Sequence, residues 1–328
     1  MGFGGVGYLI GTDEAGYGPK LGPLVVTVTV WHVPGDPCRC DLYRMLGALV
    51  TGERNHRATE QSPRLLIADS KLAYRRAAGL AGLERGVLSA VAVAHQTVRS
   101  WCELCERIAP EVLCQRDGLP WLCDYDAELP ADLDRRELDD LQSRFREGLE
   151  KAGVRVVGLR SHVIFPPRFN ELVEQYGNKA TALSEITVGL LAEAIAGLDG
   201  EPVHVVCDKH GGRNYYAALL QHHFPDVCVA VCRESRMESV YAWDDASRHV
   251  SVLFRPAGEA ALQTALASMA SKYLRELAMQ ALNRFWCQRV SGLRPTAGYA
   301  VDARRFKHEI HAVQTALGID DALIWRSR

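Results

Sequence analysis

Lysine is scarce in this chain. Only seven of its 38 basic residues are lysines, and 40 acidic residues leave a formal net charge of -2. The lack of basic excess excludes a protein that coats nucleic acid through bulk charge, though not one that grips it locally in a groove. No apolar run of about 18 residues is free of charges or breaks, which excludes a transmembrane helix. The opening MGFGGVGYLIGTDEAGYG lacks a basic segment ahead of an apolar one. No secretory signal is therefore expected, and a cytoplasmic location is. Internal repeats and low-complexity tracts are missing too. Hydrophobic residues at 48% and charged residues at 24% are ordinary for globular chains, so disorder, collagen and coiled coil are excluded as whole-chain descriptions.

Ten cysteines would suit a disulfide scaffold, but a reducing compartment argues against one. Cys207, Cys228 and Cys232 sit in apolar, strand-like runs and read as small buried hydrophobes. Cys38 and Cys40 fall in a Pro/Gly-rich loop. Cys102 and Cys105, followed by Cys114 and Cys123, leave a structural zinc site open. Against it stand the wide spacing of the second pair and the helical character of WCELCERI.

The chain alternates strand-like and helix-like stretches. YLIGTDEAGYGPKLGPLVVTVTVW reads as strand, glycine-rich turn, strand. A short helix is expected over 41–51. RLLIADSKLAYR is an apolar run ending in Asp69-Ser70-Lys71, with a helix to about residue 84. Residues 106–150 are irregular, an acidic loop and then an amphipathic helix, and 85–150 is expected to be an insertion or cap. Further strands are VRVVGLRSHVIF, PVHVVCD, VCVAVCRESRMESVYAW and HVSVLFRPAG. The turn WDDASR joins the last two, and 233–250 is expected to be an extra hairpin. Helices are expected over 166–198, broken near Gly177, over GGRNYYAALLQHHF, over the long GEAALQ…FWCQ stretch and at the C-terminal end. The alternation predicts an α/β fold, and the tight first turn makes the sheet mixed.

Three elements end in carboxylates at junctions: Asp13-Glu14, Asp208, and Glu259 at the start of the long helix. Strand ends of open α/β sheets are where sites gather. Four converging carboxylates repel one another unless divalent cations neutralise them. All-oxygen ligation selects Mg²⁺ or Mn²⁺ over zinc. Two such ions about 3.5–4 Å apart would stabilise both the attacking and the leaving oxygen of a phosphoryl transfer. Gly16 and Gly18 would let the backbone approach a phosphate. The plain alternative is that such acids are helix caps and solvated turns.

The stretch GTDEAGYGPKLGPLVV resembles the opening motif of the ribonuclease HII/HIII family, a DEAGRGPLAGP-like sequence. Asp69-Ser70-Lys71 resembles its DSK motif. Phe169-Asn170-Glu171-Leu172 with Asn178-Lys179 is similar to the YNxL…NxN stretch of the HIII branch. VVCD ending at Asp208 resembles the strand carrying the third acid, and FRPAGEAALQTALASMASKYLREL the KAES…AAASIIAKY stretch. Gly298-Tyr299 falls where the family has HxGYxT. The resemblance spans most of the chain outside about 85–150 and 233–250.

The resemblance implies a ribonuclease H-like mixed sheet flanked by helices and a two-metal endonuclease. It implies cleavage of the RNA strand of RNA–DNA hybrids, leaving a 3′-hydroxyl and a 5′-phosphate. Asp13, Glu14, Asp208 and Glu259 would hold Mg²⁺ or Mn²⁺, with Asp13 bridging both ions. Gly16, Tyr17 and Gly18 would lie along the substrate near the 2′-hydroxyl. Ser70, Lys71, Asn170, Lys179, Lys209, His210 and Tyr299 are the further substrate-binding candidates, and a monomer is expected.

This chain departs from the family in having Tyr17 where the family has Arg or Lys, and KHGGR after Asp208. Glu234 in CRESR, or Glu238, is an alternative fourth ligand. His210 could protonate a leaving group or be merely polar. Tyr299 could stack on a sugar or base or be a core residue. Arg144, Arg146 and Arg155 could belong to a substrate cap, and Arg304 and Arg305 read as a solvated helix face. Two rivals stay open: the same fold acting on DNA or structured nucleic acid, and a hybrid-binding module without turnover.

Overall fold

The computed structural model describes residues 5–53, 64–75, 77, 79–245 and 247–327. The opening MGFG, Arg76 and Ala78 within the expected helix, and Ala246 within the expected WDDASR turn lie outside the described residues. Nine strands occur among them. β1 (Val6–Ala15) and β2 (Leu24–Pro34) open the chain; β3 (Val50–Thr51) and β4 (Leu65–Leu66) are a small parallel pair. β5 (Arg155–Ile164), β6 (Val203–Asp208), β7 (Ala230–Glu234), β8 (Ser239–Asp244) and β9 (His249–Arg255) complete the set. The helices are α1 (Leu42–Met45), α2 (Ser70–Ala73), α3 (Ala81–Ala94), α4 (Trp101–Ile108), α5 (Glu111–Gln115), α6 (Arg135–Ala152), α7 (Pro166–Tyr176), α8 (Lys179–Ala196), α9 (Ala217–His223), α10 (Leu262–Cys287), α11 (Ala300–Ala316) and α12 (Asp321–Ile324).

The main sheet has seven strands in the order β5-β2-β1-β6-β9-β8-β7. β2 runs antiparallel to both β1 and β5, whereas β1, β6 and β9 are mutually parallel. β8 turns back antiparallel on β9, and β7 on β8. This mixed sheet with helices on both faces is the ribonuclease H-like α/β fold. Covering both faces explains why β2 is a near-continuous β-branched run, buried from Leu24 to Trp31, and not an alternating one.

α10 crosses one face, over β1 and β2, with α3 and α6 beside it; α7, α8 and α9 cover the other. The seam between sheet and α10 is partly polar. Thr29 Oγ1 donates to the Gln263 carbonyl at 2.7 Å, and Ser271 Oγ donates to Thr27 Oγ1 at 2.8 Å. Such bonds, each about 1 kcal/mol net, fix the helix on the strands where apolar packing alone would let it slide.

Residues 85–150 hold most of α3, then α4, α5 and α6. α6 starts on the Asp134 cap and buries Leu138, Leu141, Phe145 and Leu149, one apolar stripe. The wholly buried Glu84 carboxylate ties this region to α10. It accepts from the backbone N–H groups of Ala131 (2.5 Å), Asp132 (3.0 Å) and Leu133 (2.9 Å) and from the Tyr273 hydroxyl (3.0 Å).

Three expected elements differ. The helix from residue 70 to about 84 is two: α2 ends at Ala73, and α3 begins at Ala81 after Gly79 turns at φ +68°. The 41–51 helix shortens to α1, because Val50-Thr51 pairs with Leu65-Leu66. The GGRNYYAALLQHHF helix begins only at Ala217, since Gly211 and Gly212 adopt positive φ. In each case a local turn or a strand partner overrides a weak helical preference.

Candidate active site

β1, β6 and β9 lie side by side and parallel, so their carboxyl ends open at one edge. Thr12 pairs with Cys207, which sets Asp13 beside Asp208 at the next step. β9 then runs into a 3₁₀ turn, Gly258–Ala260, that carries Glu259. Asp13, Glu14, Asp208 and Glu259 therefore line one cavity of about 440 Å³, although 50 residues of chain separate the last two. The joint is tight. The Gly258 N–H donates to Asp208 Oδ1 at 3.0 Å, and a Cβ on Gly258 would stand 2.9 Å from the Asp208 nitrogen. Only glycine lets the turn approach the strand this closely.

Burial, and then Glu14 and Asp208, hold the Asp13 carboxyl well above the usual carboxylate range; its Oδ1 accepts the Glu14 N–H at 2.8 Å. Burial and the Asp208 charge push Glu14 up to about 7. Burial likewise raises Asp208 and Glu259, which also repel each other. Four carboxylates, each made harder to ionise by its neighbours, form an oxygen donor set suited to hard divalent cations. No three of them bring ligand oxygens within 4.8 Å of one another; among the described residues only Glu185, His222 and His223 form such a group. The four cysteines Cys102, Cys105, Cys114 and Cys123 do not form one. Cys105 is buried in α4, Cys123 is exposed with its thiol directed at the Arg116 and Leu119 carbonyls, and the zinc alternative falls away.

The rest of the lining includes Gly16, Tyr17, Ser70, Lys71, Lys272, Arg275 and Tyr299. Ser70 meets Ser268 of α10, Oγ to Oγ at 3.1 Å. The exposed Lys71 lowers the carboxylate pKa values around it. Tyr299 is 58% exposed at the start of α11, not a core residue. Gly16 turns at φ +89° with the Pro23 carbonyl and Arg275 against it, leaving no room for a Cβ. Lys179 stands with its Nζ 4.5 Å from the Tyr17 ring centroid, so a cation accompanies this turn from α8.

Several expected residues lie elsewhere. His210 is 2% exposed; its Nδ1 pairs with Ser184 Oγ at 3.1 Å and its ring meets Tyr216 and Phe254 edge-on. Burial pushes it down to about 3, so it is a neutral core residue with no proton to give at neutral pH. Lys209 Nζ donates to Asn214 Oδ1 (2.9 Å), the Ser235 carbonyl and Ser239 Oγ, bracing the 209–239 loops. Asn170 binds the chain end: its Nδ2 donates to the Trp325 carbonyl at 2.9 Å and its Oδ1 accepts from the Ser327 N–H at 2.8 Å. Gly18 is exposed and outside the lining. Glu234 accepts from the Tyr241 hydroxyl at 2.6 Å and Glu238 pairs with Arg233; neither reaches the cavity.

Sequence reasoning missed Asp69, Ser268, Lys272 and Arg275 as lining residues. Asp69 caps α2 through the Lys71 N–H (3.0 Å) and adds a fifth carboxylate, which raises Asp208 and Glu259. The Ser268, Lys272, Arg275 spacing of four and three is one helix face, a signal readable in the sequence. Lys272 and Arg275 are both held by Glu276.

No protein-family profile matches the chain, and no curated protein does. Solved structures do. The RNase HII of the PCNA:RNase HII complex from Archaeoglobus fulgidus is 14% identical, with 98% of this chain and 94% of that one covered and a TM-score of 0.42. The ribonuclease H2 of Pyrococcus horikoshii is 13% identical, with 97% and 92% covered and a TM-score of 0.42. Bst-RNase HIII in complex with Mn²⁺ is 14% identical, with 98% and 66% covered and a TM-score of 0.38. At such identities the likeness does not extend to substrate or mechanism. Among the described residues no helix is long and apolar enough to cross a membrane. The strand order β5-β2-β1-β6-β9, with β2 alone antiparallel among these five, gives this chain a ribonuclease H-like α/β fold.

Proposed function

We propose that this protein is a divalent-cation-dependent nuclease that hydrolyses the RNA strand of RNA–DNA hybrids, leaving a 3′-hydroxyl and a 5′-phosphate. One observation carries the reading. Asp13, Glu14, Asp208 and Glu259, from three separate segments, line a single cavity whose wall also carries Lys71, Lys272 and Arg275. Carboxylates that repel one another, beside cationic side chains, suit divalent cations and a phosphodiester substrate.

In this reading Asp13, Glu14, Asp208 and Glu259 would hold Mg²⁺ or Mn²⁺. When bound, the cations supply Lewis-acid activation of water and neutralise charge at the scissile phosphate. The chain's own residues do the rest. Lys71, exposed at the cavity mouth, binds a flanking phosphate, and Ser70 positions it by hydrogen bonding. The turn at Gly16 presents its backbone to the sugar edge, where a 2′-hydroxyl distinguishes RNA from DNA. Tyr299, exposed at the rim, offers a flat face for a sugar or base. Lys179 over Tyr17 supplies the positive charge that the turn itself lacks.

The test is incubation of the purified protein with an end-labelled RNA–DNA hybrid, an all-DNA duplex of the same sequence, Mg²⁺ or Mn²⁺, and an Asp13→Asn control. Cleavage of the RNA strand by the wild type alone supports the reading. Cleavage of the DNA duplex at an equal rate rejects hybrid specificity, and binding without cleavage in either metal rejects catalysis.

A further inference from the structure

We infer that the protein carries a second metal site, selective for Zn²⁺ or a similar nitrogen-seeking ion, built from Glu185 of α8 and His222 and His223 at the end of α9. One ligand atom from each of the three lies within 4.8 Å of the other two. His223 Nε2 is 2.9 Å from Glu185 Oε2, and the two imidazole rings meet edge-on at 5.2 Å. Two imidazoles and one carboxylate are a donor set that zinc accepts with a position left open. The candidate active site offers only oxygen, which favours Mg²⁺ or Mn²⁺. The two sites thus differ in the ion that they select.

The surroundings support a cation here. Glu185 and His223 face a cavity of about 400 Å³ that shares no residue with the active-site cavity. Glu185, Gly189 and Glu193 follow one another at four-residue steps along α8, so all three face it. Across the same space His162 Nε2 stands 3.8 Å from Glu193 Oε2, a second imidazole–carboxylate pair. Glu111 also lines it, with Oε2 buried and no hydrogen-bond partner. Three glutamates against Arg168, which itself pairs with Glu171, give the cavity a negative field that draws cations. A solvated ion pair between His223 and Glu185 would account for those two side chains, but not for His222 or for the acidic wall opposite.

Metal-free full-length protein, its thiols blocked, is titrated with Zn²⁺ by calorimetry and with Co²⁺ by visible absorption. The expected result is one Zn²⁺ per chain at micromolar affinity and a Co²⁺ spectrum of low-symmetry nitrogen and oxygen ligation. His222→Ala and Glu185→Gln are each expected to weaken binding at least ~10-fold, and the double variant His222→Ala/His223→Ala to abolish it. Asp13→Asn should leave the Zn²⁺ isotherm unchanged. His222 is exposed, so its replacement keeps the fold, which circular dichroism checks. No micromolar binding, or binding undiminished in the double variant, overturns the inference. Loss of Zn²⁺ binding in Asp13→Asn overturns it too, by placing the ion among the active-site carboxylates.

Discussion

Arg326 holds Gly22. Its Nε and Nη2 donate to the Gly22 carbonyl at 2.9 and 2.7 Å, while Nη1 donates to the carbonyls of Gly16 and Pro19. A single guanidinium from the chain end thus clamps both ends of the glycine-rich loop that follows Asp13-Glu14. It is 4% exposed, and its face lies 4.5 Å from the Phe169 ring centroid. Burial, and then repulsion from Arg275, push it down to about 9, still charged at neutral pH. Arg326→Met leaves the Gly16, Pro19 and Gly22 carbonyls, the last two buried, without this donor. A loss on the order of 3 kcal/mol in urea unfolding is expected, with hybrid cleavage falling further than stability alone explains. Arg326→Lys should recover only part of it, since an ammonium cannot span the fork. Full stability in Arg326→Met would show that the loop holds itself.

The carboxylates should respond to cations and pH together. Glu14 is pushed up to about 7 from 4.5. Between those values the folded state keeps a proton that the unfolded state has lost. Its contribution to stability therefore falls as pH rises through that window and stays low above it. At pH 8, Mg²⁺ at about 100 times its Kd should add ~2.7 kcal/mol, and much less at pH 5. Asp13→Asn should flatten the Mg²⁺ response and cut hybrid cleavage at least ~100-fold, the size of an electrostatic contribution at a reacting centre. Calorimetric melting with and without Mg²⁺ at the two pH values checks the first, and single-turnover kinetics the second.

Glu259 and Glu234 can be told apart by activity. Glu259 lines the cavity, whereas Glu234 of β7 accepts from the Tyr241 hydroxyl of β8. Glu259→Gln is expected to abolish Mg²⁺-dependent cleavage of the hybrid. Glu234→Gln should keep cleavage within about 3-fold, since its amide oxygen still accepts from the Tyr241 hydroxyl. The opposite pattern of rates would move the fourth ligand to the hairpin.

Gly258→Ala tests the joint between β6 and the Glu259 turn. A Cβ there meets the Asp208 nitrogen at 2.9 Å and Cα at 3.0 Å, and both are backbone atoms that cannot step aside. A destabilisation of about 1–3 kcal/mol is expected, together with weaker Mg²⁺ binding as Glu259 is pushed from Asp208. Unchanged Mg²⁺ affinity would show that the turn tolerates the shift.

His210 gives the protein an acid weakness. Its folded value near 3, against 6.5 when unfolded, means that the unfolded state binds a proton the folded state refuses. Stability is therefore lost as pH falls from 6.5 towards 3, opposite in sign to Glu14. At pH 5 the loss is roughly 2 kcal/mol, at about 1.4 kcal/mol per pKa unit. His210→Gln should be less stable at pH 7 but should shed this part of the acid slope; urea midpoints from pH 4.5 to 7.5 compare the two. An unchanged slope would mean that His210 is protonated in the fold.

Strand ends were legible because a buried strand is a run of apolar residues that stops where a polar group must meet solvent. Asp13, Glu14 and Asp208 stand at such stops, as the run YLIGT and the run VHVVC announce. His210 and Lys209 were misplaced for a related reason: sequence shows that they follow Asp208, not that Gly211 and Gly212 turn the chain and bury His210 against Tyr216 and Phe254. Asn170 was placed by motif, while its side chain is taken by Trp325 and Ser327.

The sequence by itself determined the α/β alternation, the mixed first hairpin and the carboxylates at strand ends, because period, β-branching and turn chemistry act over a few neighbouring residues. The tertiary structure alone decided which of these residues meet. The β1-β6-β9 order sets Asp13 beside Asp208, Gly258 lets Glu259 close on them, and Arg326 locks the loop from the far end of the chain. Those choices rest on register, close approach and burial between segments distant in sequence, which no local pattern encodes.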